Sequence, residues 1–239
     1  MDLLPTATTK DERERGSRIA VLPVGSFEQH GDYLPLITDT IVACAIAGEV
    51  AAAYNLMLLP PIAISCSHEH SAWPGTVSIS AKTLHQVVND VAESAARNGA
   101  DRLFIVNGHG GNYVLSNIVQ EANVSGPRMA LFPMRDDWEG ARRASGMETT
   151  NHDDMHGGEL EVSILLHVDG ARVDERVREQ DHEAPIRPLL LVEGMRRYTE
   201  SGIIGRPSLA SAEKGKAVLA ALAEAAAGHL HALSATAPD

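Results

Sequence analysis

The chain has 239 residues, 44% of them hydrophobic and 22% charged, and carries a net charge of −12. That length suits one large α/β domain or two small ones, with a core that needs neither disulfides nor structural zinc. An acidic surface repels phosphate backbones and anionic lipid, so neither nucleic acid nor membrane is an expected partner.

Aromatic residues make up only 4%, which leaves the core to Ala, Val, Leu and Ile. Cys44 and Cys66 form no CxxC pair, and no run approaches the roughly 18 apolar residues of a membrane span. The chain reads as reduced and cytoplasmic. Residues 1–17 lack an apolar signal region and are expected to form a flexible tail.

Ile19 to Val24 is an apolar run that reads as a buried strand, and it leads into Glu28, Gln29 and His30. Asp39 to Tyr54 reads as a helix with Thr38 or Asp39 at its start. Leu56 to Ile64 is a second apolar run, interrupted by Pro60 and Pro61, and so reads as a short strand giving way to a loop; Ser65 to Thr76 is a loop rich in His, Ser and Trp. Lys82 to Asn98 has helical spacing and Gly99 stops it. Asp101 to Asn107 is the clearest buried strand, running into Gly108-His109-Gly110-Gly111-Asn112. A helix from Tyr113 to Asn123, a strand from Arg128 to Pro133 and a charged helix from Asp136 to Arg143 follow. His156 to Val168 turns from polar to helical, Asp181 to Pro188 is loop-like, and Glu213 to Leu233 is an Ala-rich helix. This alternation predicts a doubly wound α/β sheet with helices on both faces, in one domain spanning 1–239.

Three loops carry side chains suited to a metal. Glu28 and His30, two residues apart, share one side of an extended backbone, and Asp39 follows at a helix start. His109 sits at a strand end among glycines, and the third loop supplies His156, Glu159 and Glu161. Carboxylates mixed with neutral imidazoles suit zinc or manganese. GxSxG, Walker, HExxH and GxGxxG patterns are all absent. Taken singly, Asp39 would be a helix cap and His109 a backbone-bonded histidine; it is their collection at three strand or helix ends that points to a site. His68, His70 and His85 carry no such pattern and read as structural histidines.

The segments PVGSFEQHGDYLPLITD (23–39), PGT (74–76), NGHGGN (107–112) and HGGELEVS (156–163) occur in that order. In them the sequence resembles the creatininase (creatinine amidohydrolase) family. The resemblance implies a three-layer α/β/α sandwich with a mostly parallel central sheet. It also implies two divalent metal ions per subunit, zinc or manganese with iron as a further candidate. Glu28 and His109 match the ligands of one ion, His30 and Glu161 those of the other, and Asp39 the bridge. His156 matches the acid/base histidine. Glu159 has no ligand role in that pattern and is expected to orient a ligand from behind. Ser67, His70, Trp73, His152 and Asp153 are the expected substrate contacts.

Two departures mark the substrate end. Gly111 stands where creatininase has a glutamate, and His152 where it has a tryptophan. The implied activity is an amidohydrolase that uses a metal-bridging hydroxide on a small-molecule amide or formamide. A mycofactocin-type precursor-peptide peptidase and a non-catalytic metal-binding oligomer are the alternatives. A homo-oligomer, a hexamer by resemblance, is expected.

Overall fold

The computed structural model describes residues 3–235. Four parallel strands, β1 (Ile19–Val24), β2 (Met57–Leu58), β3 (Arg102–Asn107) and β4 (Met129–Phe132), form one sheet in the order β2-β1-β3-β4. Parallel neighbours need crossovers, and these are helices. α1 (Thr9–Arg15) precedes the sheet. α2 (Thr38–Tyr54), α3 (Ala81–Arg97) and α4 (Val114–Ala122) link successive strands. α5 (Arg135–Ala144), α6 (Glu159–Asp169), the short α7 (Leu190–Glu193) and α8 (Ala212–Ser234) follow β4.

The strands are apolar without interruption because both sheet faces are covered. Side-chain alternation then sorts them. Val21, Phe104, Val106 and Phe132 point into a core shared with α2, α5, α6 and α8. Ala20, Leu22, Leu103 and Ile105 point the other way, against Leu84 and Val88 of α3 and Leu115 and Ile118 of α4. The result is the three-layer arrangement expected. α2 is buried almost all round, between the sheet and the α6–α8 layer, which is why its apolar residues show no stripe.

Two glycines bring α2 down onto the strand ends. A Cβ on Gly25 would lie 2.4 Å from the Thr40 Cα, and one on Gly108 would lie 2.4 Å from the Asp39 carbonyl oxygen. Only glycine permits that approach, and it sets Asp39 between the loops that leave β1 and β3.

The structure adds detail to three expectations. Within the expected tail, Thr9–Arg15 is helical, closed by a reciprocal capping box between Thr8 and Asp11 and by Gly16 in the left-handed region; residues 1 and 2 lie outside the described residues. The run Leu56 to Ile64 is the short strand giving way to a loop that its prolines predict, with two residues in the ladder. Pro60 and Pro61 have no N–H to give the ladder, and pairing resumes at Ile62, whose N–H donates to the Pro23 carbonyl at 2.9 Å. Finally, α8 is long and apolar enough to cross a membrane by length and composition. Here its Val218, Leu219, Leu222, Ala226 and Leu230 are buried in the core instead.

Candidate metal centre

The loops that leave β1 and β3, the first turn of α2 and the start of α6 converge at the carboxyl ends of the strands, where open α/β sheets place their sites. Glu28, His30 and Asp39 are buried, as are His109 and His156. Three groups of side chains each bring their donor atoms within 4.8 Å of one another: Glu28, Asp39 and His109; His30, Asp39 and Glu161; and Glu28, His30 and His156. Asp39 belongs to two of them, and its oxygens divide. Oδ1 faces His30 Nε2 at 3.0 Å and Oδ2 faces His109 Nδ1 at 3.0 Å. His109 Nδ1 is also 3.2 Å from Glu28 Oε1, while Glu161 Oε2 is 3.9 Å from His30 Nε2.

Three imidazoles are held from behind. His30 Nδ1 donates to the Glu28 carbonyl at 3.1 Å, His109 Nε2 to the Cys66 carbonyl at 2.9 Å, and His156 Nε2 to the Gln29 carbonyl at 2.6 Å. In the neutral ring these bonds place the proton at the rear and leave a lone pair facing the cluster, the tautomer a metal requires. The carboxylates are held too: Ser26 Oγ donates to Glu28 Oε2 at 2.7 Å and the Gly157 N–H to Glu161 Oε2 at 2.5 Å. Glu28 Oε1 and Asp39 Oδ2, the oxygens turned inward, are buried with no hydrogen-bond partner. Orphaned buried oxygens are costly, and two of them aimed at the same space as bare imidazole nitrogens fit divalent cations.

Without ions, protons balance the charge. Burial alone would lower the His30 pKa, but the Asp39 carboxylate, with Glu161 and Glu28 behind it, raises it to about 9. His109 is driven well above the usual range against the same burial, by Glu28 and Asp39. Burial lifts Glu161 to about 7 against the pull of His30. His70 and His156 go the other way: burial, reinforced by neighbouring imidazoles, holds both well below the ordinary histidine value.

The remaining expected site residues divide. His70 is buried in the cluster, its Nε2 3.1 Å from Glu28 Oε1 and its ring 4.4 Å from that of His156. Ser67 is buried nearby with an unpartnered Oγ. Trp73 is half-buried beneath the Arg196 guanidinium, 5.3 Å from its ring centroid. His152 and Asp153 are exposed, and neither bonds a cluster residue among the described residues. The His152 Nε2–H donates to the Pro185 carbonyl at 2.7 Å, and Asp153 accepts from Thr150 Oγ1 at 2.7 Å.

Glu159 makes no hydrogen bond to a cluster residue among the described residues. Its Oε1 accepts from Lys214 Nζ at 2.6 Å and its Oε2 from Thr149 Oγ1 at 2.7 Å, so it ties α6 to α8 and to the loop at 148–149. Helix geometry explains this placement. Glu159 and Glu161 are two residues apart, which on a helix sends them about 200° apart rather than onto one face. His85 lies on the outer side of α3 against Glu121.

Sequence reasoning passed over Gln29 and Glu69. Gln29 stands between two flagged residues, and only its contacts reveal its work. Glu69 lies 3.6 Å from His109 Nε2. It opens onto a cavity of about 410 Å³ whose lining also includes Cys66, Gly111, Tyr113, Leu191 and Arg196. This cavity abuts the back of His109 and is large enough for a peptide fragment or small metabolite.

A family model described as creatinine amidohydrolase matches residues 5–230. The mycofactocin precursor peptide peptidase of Mycolicibacterium smegmatis is 33% identical over 222 residues, covering 89% of this chain and 84% of that protein. The creatinine amidohydrolase of Pseudomonas putida is 25% identical over 222 residues, covering 85% of each chain. A crystal structure of creatinine amidohydrolase superposes with a TM-score of 0.79 at 25% identity, covering 97% of each chain.

Proposed function

The chain belongs to the creatininase family of hydrolases, and from that premise we propose that it is a metal-dependent hydrolase that cleaves an amide bond in a short peptide. The observation that carries the hydrolytic part is the pair of orphaned oxygens, Glu28 Oε1 and Asp39 Oδ2, facing three imidazoles whose rear nitrogens are already committed. Glu28 and His109 would hold one divalent ion, His30 and Glu161 a second, and Asp39 both, with zinc or manganese the best match to this donor set. Such ions, when bound, lower the pKa of water and polarise a carbonyl.

The chain's own residues supply the rest. His156, buried and with its Nε2–H fixed on the Gln29 carbonyl, presents Nδ1 3.7 Å from Glu28 Oε1. A neutral nitrogen placed there takes a proton from the attacking water and returns it to the departing amide nitrogen. Burial of the cluster excludes bulk water, which strengthens each of these interactions. The peptide substrate rests on the 33% identity to a protein named for a peptidase, set against 25% to one named for creatinine hydrolysis. The cavity beside His109, with its Leu191 and Tyr113 walls, suits an apolar peptide segment.

A cyclic amide or formamide is the second reading, favoured by the match to the Pseudomonas putida enzyme over 85% of both chains. A homo-oligomer is part of the same proposal. Reloading purified protein with zinc or manganese, counting bound metal, and assaying a panel of short peptides, cyclic amides and formamides tests both readings. Roughly two ions per chain with peptide turnover is expected. Fewer than about one ion per chain would overturn the two-ion centre. Turnover restricted to cyclic amides or formamides would transfer the assignment to the second reading.

A further inference from the structure

Four imidazoles meet at the cluster, and three of them, His30, His109 and His156, donate rearward to backbone carbonyls. His70 is built the other way. Its rear nitrogen, Nδ1, lies 2.9 Å from the side-chain Nε2 of Gln29. The Gln29 carboxamide admits only one orientation: its Oε1 accepts the Gly31 N–H at 2.9 Å, and its Nε2 donates to the Gly202 carbonyl at 3.1 Å. Both partners are backbone groups of fixed polarity, so exchanging O and N would set acceptor against acceptor and donor against donor.

The second Nε2 proton of Gln29 therefore goes to His70. Gln29 Nε2 is also 3.2 Å from His156 Nε2, but that nitrogen spends its own proton on the Gln29 carbonyl, so no bond joins them. Because His70 accepts at Nδ1, its proton resides on Nε2, the nitrogen that faces the cluster. That nitrogen lies 3.1 Å from Glu28 Oε1, yet this oxygen has no hydrogen bond, so the N–H passes beside it rather than onto it.

Once ions displace the cluster-side protons of His30 and His109, the other inward atoms would be carboxylate oxygens and bare imidazole nitrogens, and His70 would hold the one uncommitted imidazole N–H among the described residues. We propose that His70 Nε2–H is the hydrogen-bond donor to the carbonyl oxygen of the scissile amide, and that Gln29 is the positioning residue that fixes its proton there. The proposal rests on the amide-hydrolase reading. As the water oxygen adds to the carbonyl carbon, the carbonyl π pair moves onto oxygen, and the Nε2–H bonds that oxygen without transferring its proton. On collapse the pair returns, the C–N bond breaks, and the nitrogen leaves with the proton that His156 took from water. His70 ends as it began, a neutral donor.

The test has a spectroscopic arm and a kinetic arm. In zinc-loaded protein labelled with ¹⁵N-histidine, the ring absent from the His70→Gln spectrum should show a protonated Nε2 and a bare Nδ1. In Gln29→Met that preference should be lost. A proton on Nδ1 of the wild-type ring would overturn the proposal without reference to activity. On a peptide that the wild type cleaves, His70→Ala should lower kcat about 100-fold or more, the scale of losing one oxyanion donor. KM and bound zinc should stay within about threefold, and His70→Gln, which keeps an N–H, should recover part of the loss. An unchanged kcat, or zinc loss equal to the activity loss, would make His70 structural or a ligand and would end the proposal. If the wild type cleaves no peptide, the functional reading fails, and the ring spectrum still decides the tautomer.

Discussion

Replacing Asp154 by Asn tests how the start of α6 is held, and with it the frame of His156 and Glu161. Asp154 is buried, and its two oxygens accept four hydrogen bonds. Oδ1 takes the Glu159 N–H at 2.6 Å and the Arg206 N–H at 3.1 Å, while Oδ2 takes the Leu160 N–H at 3.0 Å and Arg142 Nη2 at 3.0 Å. Two of these donors belong to the first turn of α6, so the carboxylate caps the helix and answers its positive end. Arg142, itself buried, loses its charge partner in the variant. Asn keeps the shape, but either orientation aims its NH₂ at two donors. Breaking one partner of a buried ion pair costs about 3–5 kcal/mol, and Arg142 keeps Thr149 and Asn151 as acceptors, so we place the cost near 4 kcal/mol. With a urea m-value of about 2.5 kcal/mol/M, the unfolding midpoint should fall by roughly 1.5 M. In an Arg142→Met background the same change should cost markedly less, because no stranded guanidinium remains. A loss below about 1 kcal/mol in the wild-type background, or equal losses in both, would refute the argument.

Glu28→Gln replaces an inward oxygen that two of the three donor groups share. It should lower bound metal by about one ion per chain and reduce turnover by at least a thousandfold, read by elemental analysis and kcat; full loading with full activity would be the contrary result. Gly111→Ala would place a Cβ 2.0 Å from Glu69 Oε1 and 2.4 Å from His109 Nε2, pushing that ring off the Cys66 carbonyl. Zinc affinity should fall about 10-fold or more, as when a ligand loses its supporting bond, measured by competition with a fluorescent chelator. The same titration run from pH 6 to 9 reads the protons that ions displace. His30, raised to about 9, holds a cluster-side proton at neutral pH. Glu161, raised to about 7, holds one below that. Zinc affinity should therefore climb with pH, by about tenfold per unit or more between 7 and 9; a flat profile would mean these groups are not ligands.

Much of this molecule follows from local sequence. The uninterrupted apolar runs at 19–24 and 102–107 require strands covered on both faces, and the helices between them require parallel pairing. Glu28, His30, Asp39, His109 and His156 could be singled out because such side chains collect at three strand or helix ends, although Asp39 alone would serve as a helix cap. Gly25 and Gly108 gave no such sign, since the backbone they must clear belongs to α2 and is defined only once the layers pack. Glu159 looked like part of the centre from its neighbours in the chain, and helical geometry turned it toward Lys214 instead. His70 shows the limit most sharply. Its spacing read as structural and its loop made it an expected substrate contact, but its proton position depends on an amide 41 residues away, itself oriented by the carbonyl of Gly202. Residue types and their spacing determine which groups can bind a metal. Which nitrogen of each imidazole faces inward is decided by the hydrogen bond at its back, and those partners come from distant parts of the chain that only the tertiary structure brings together.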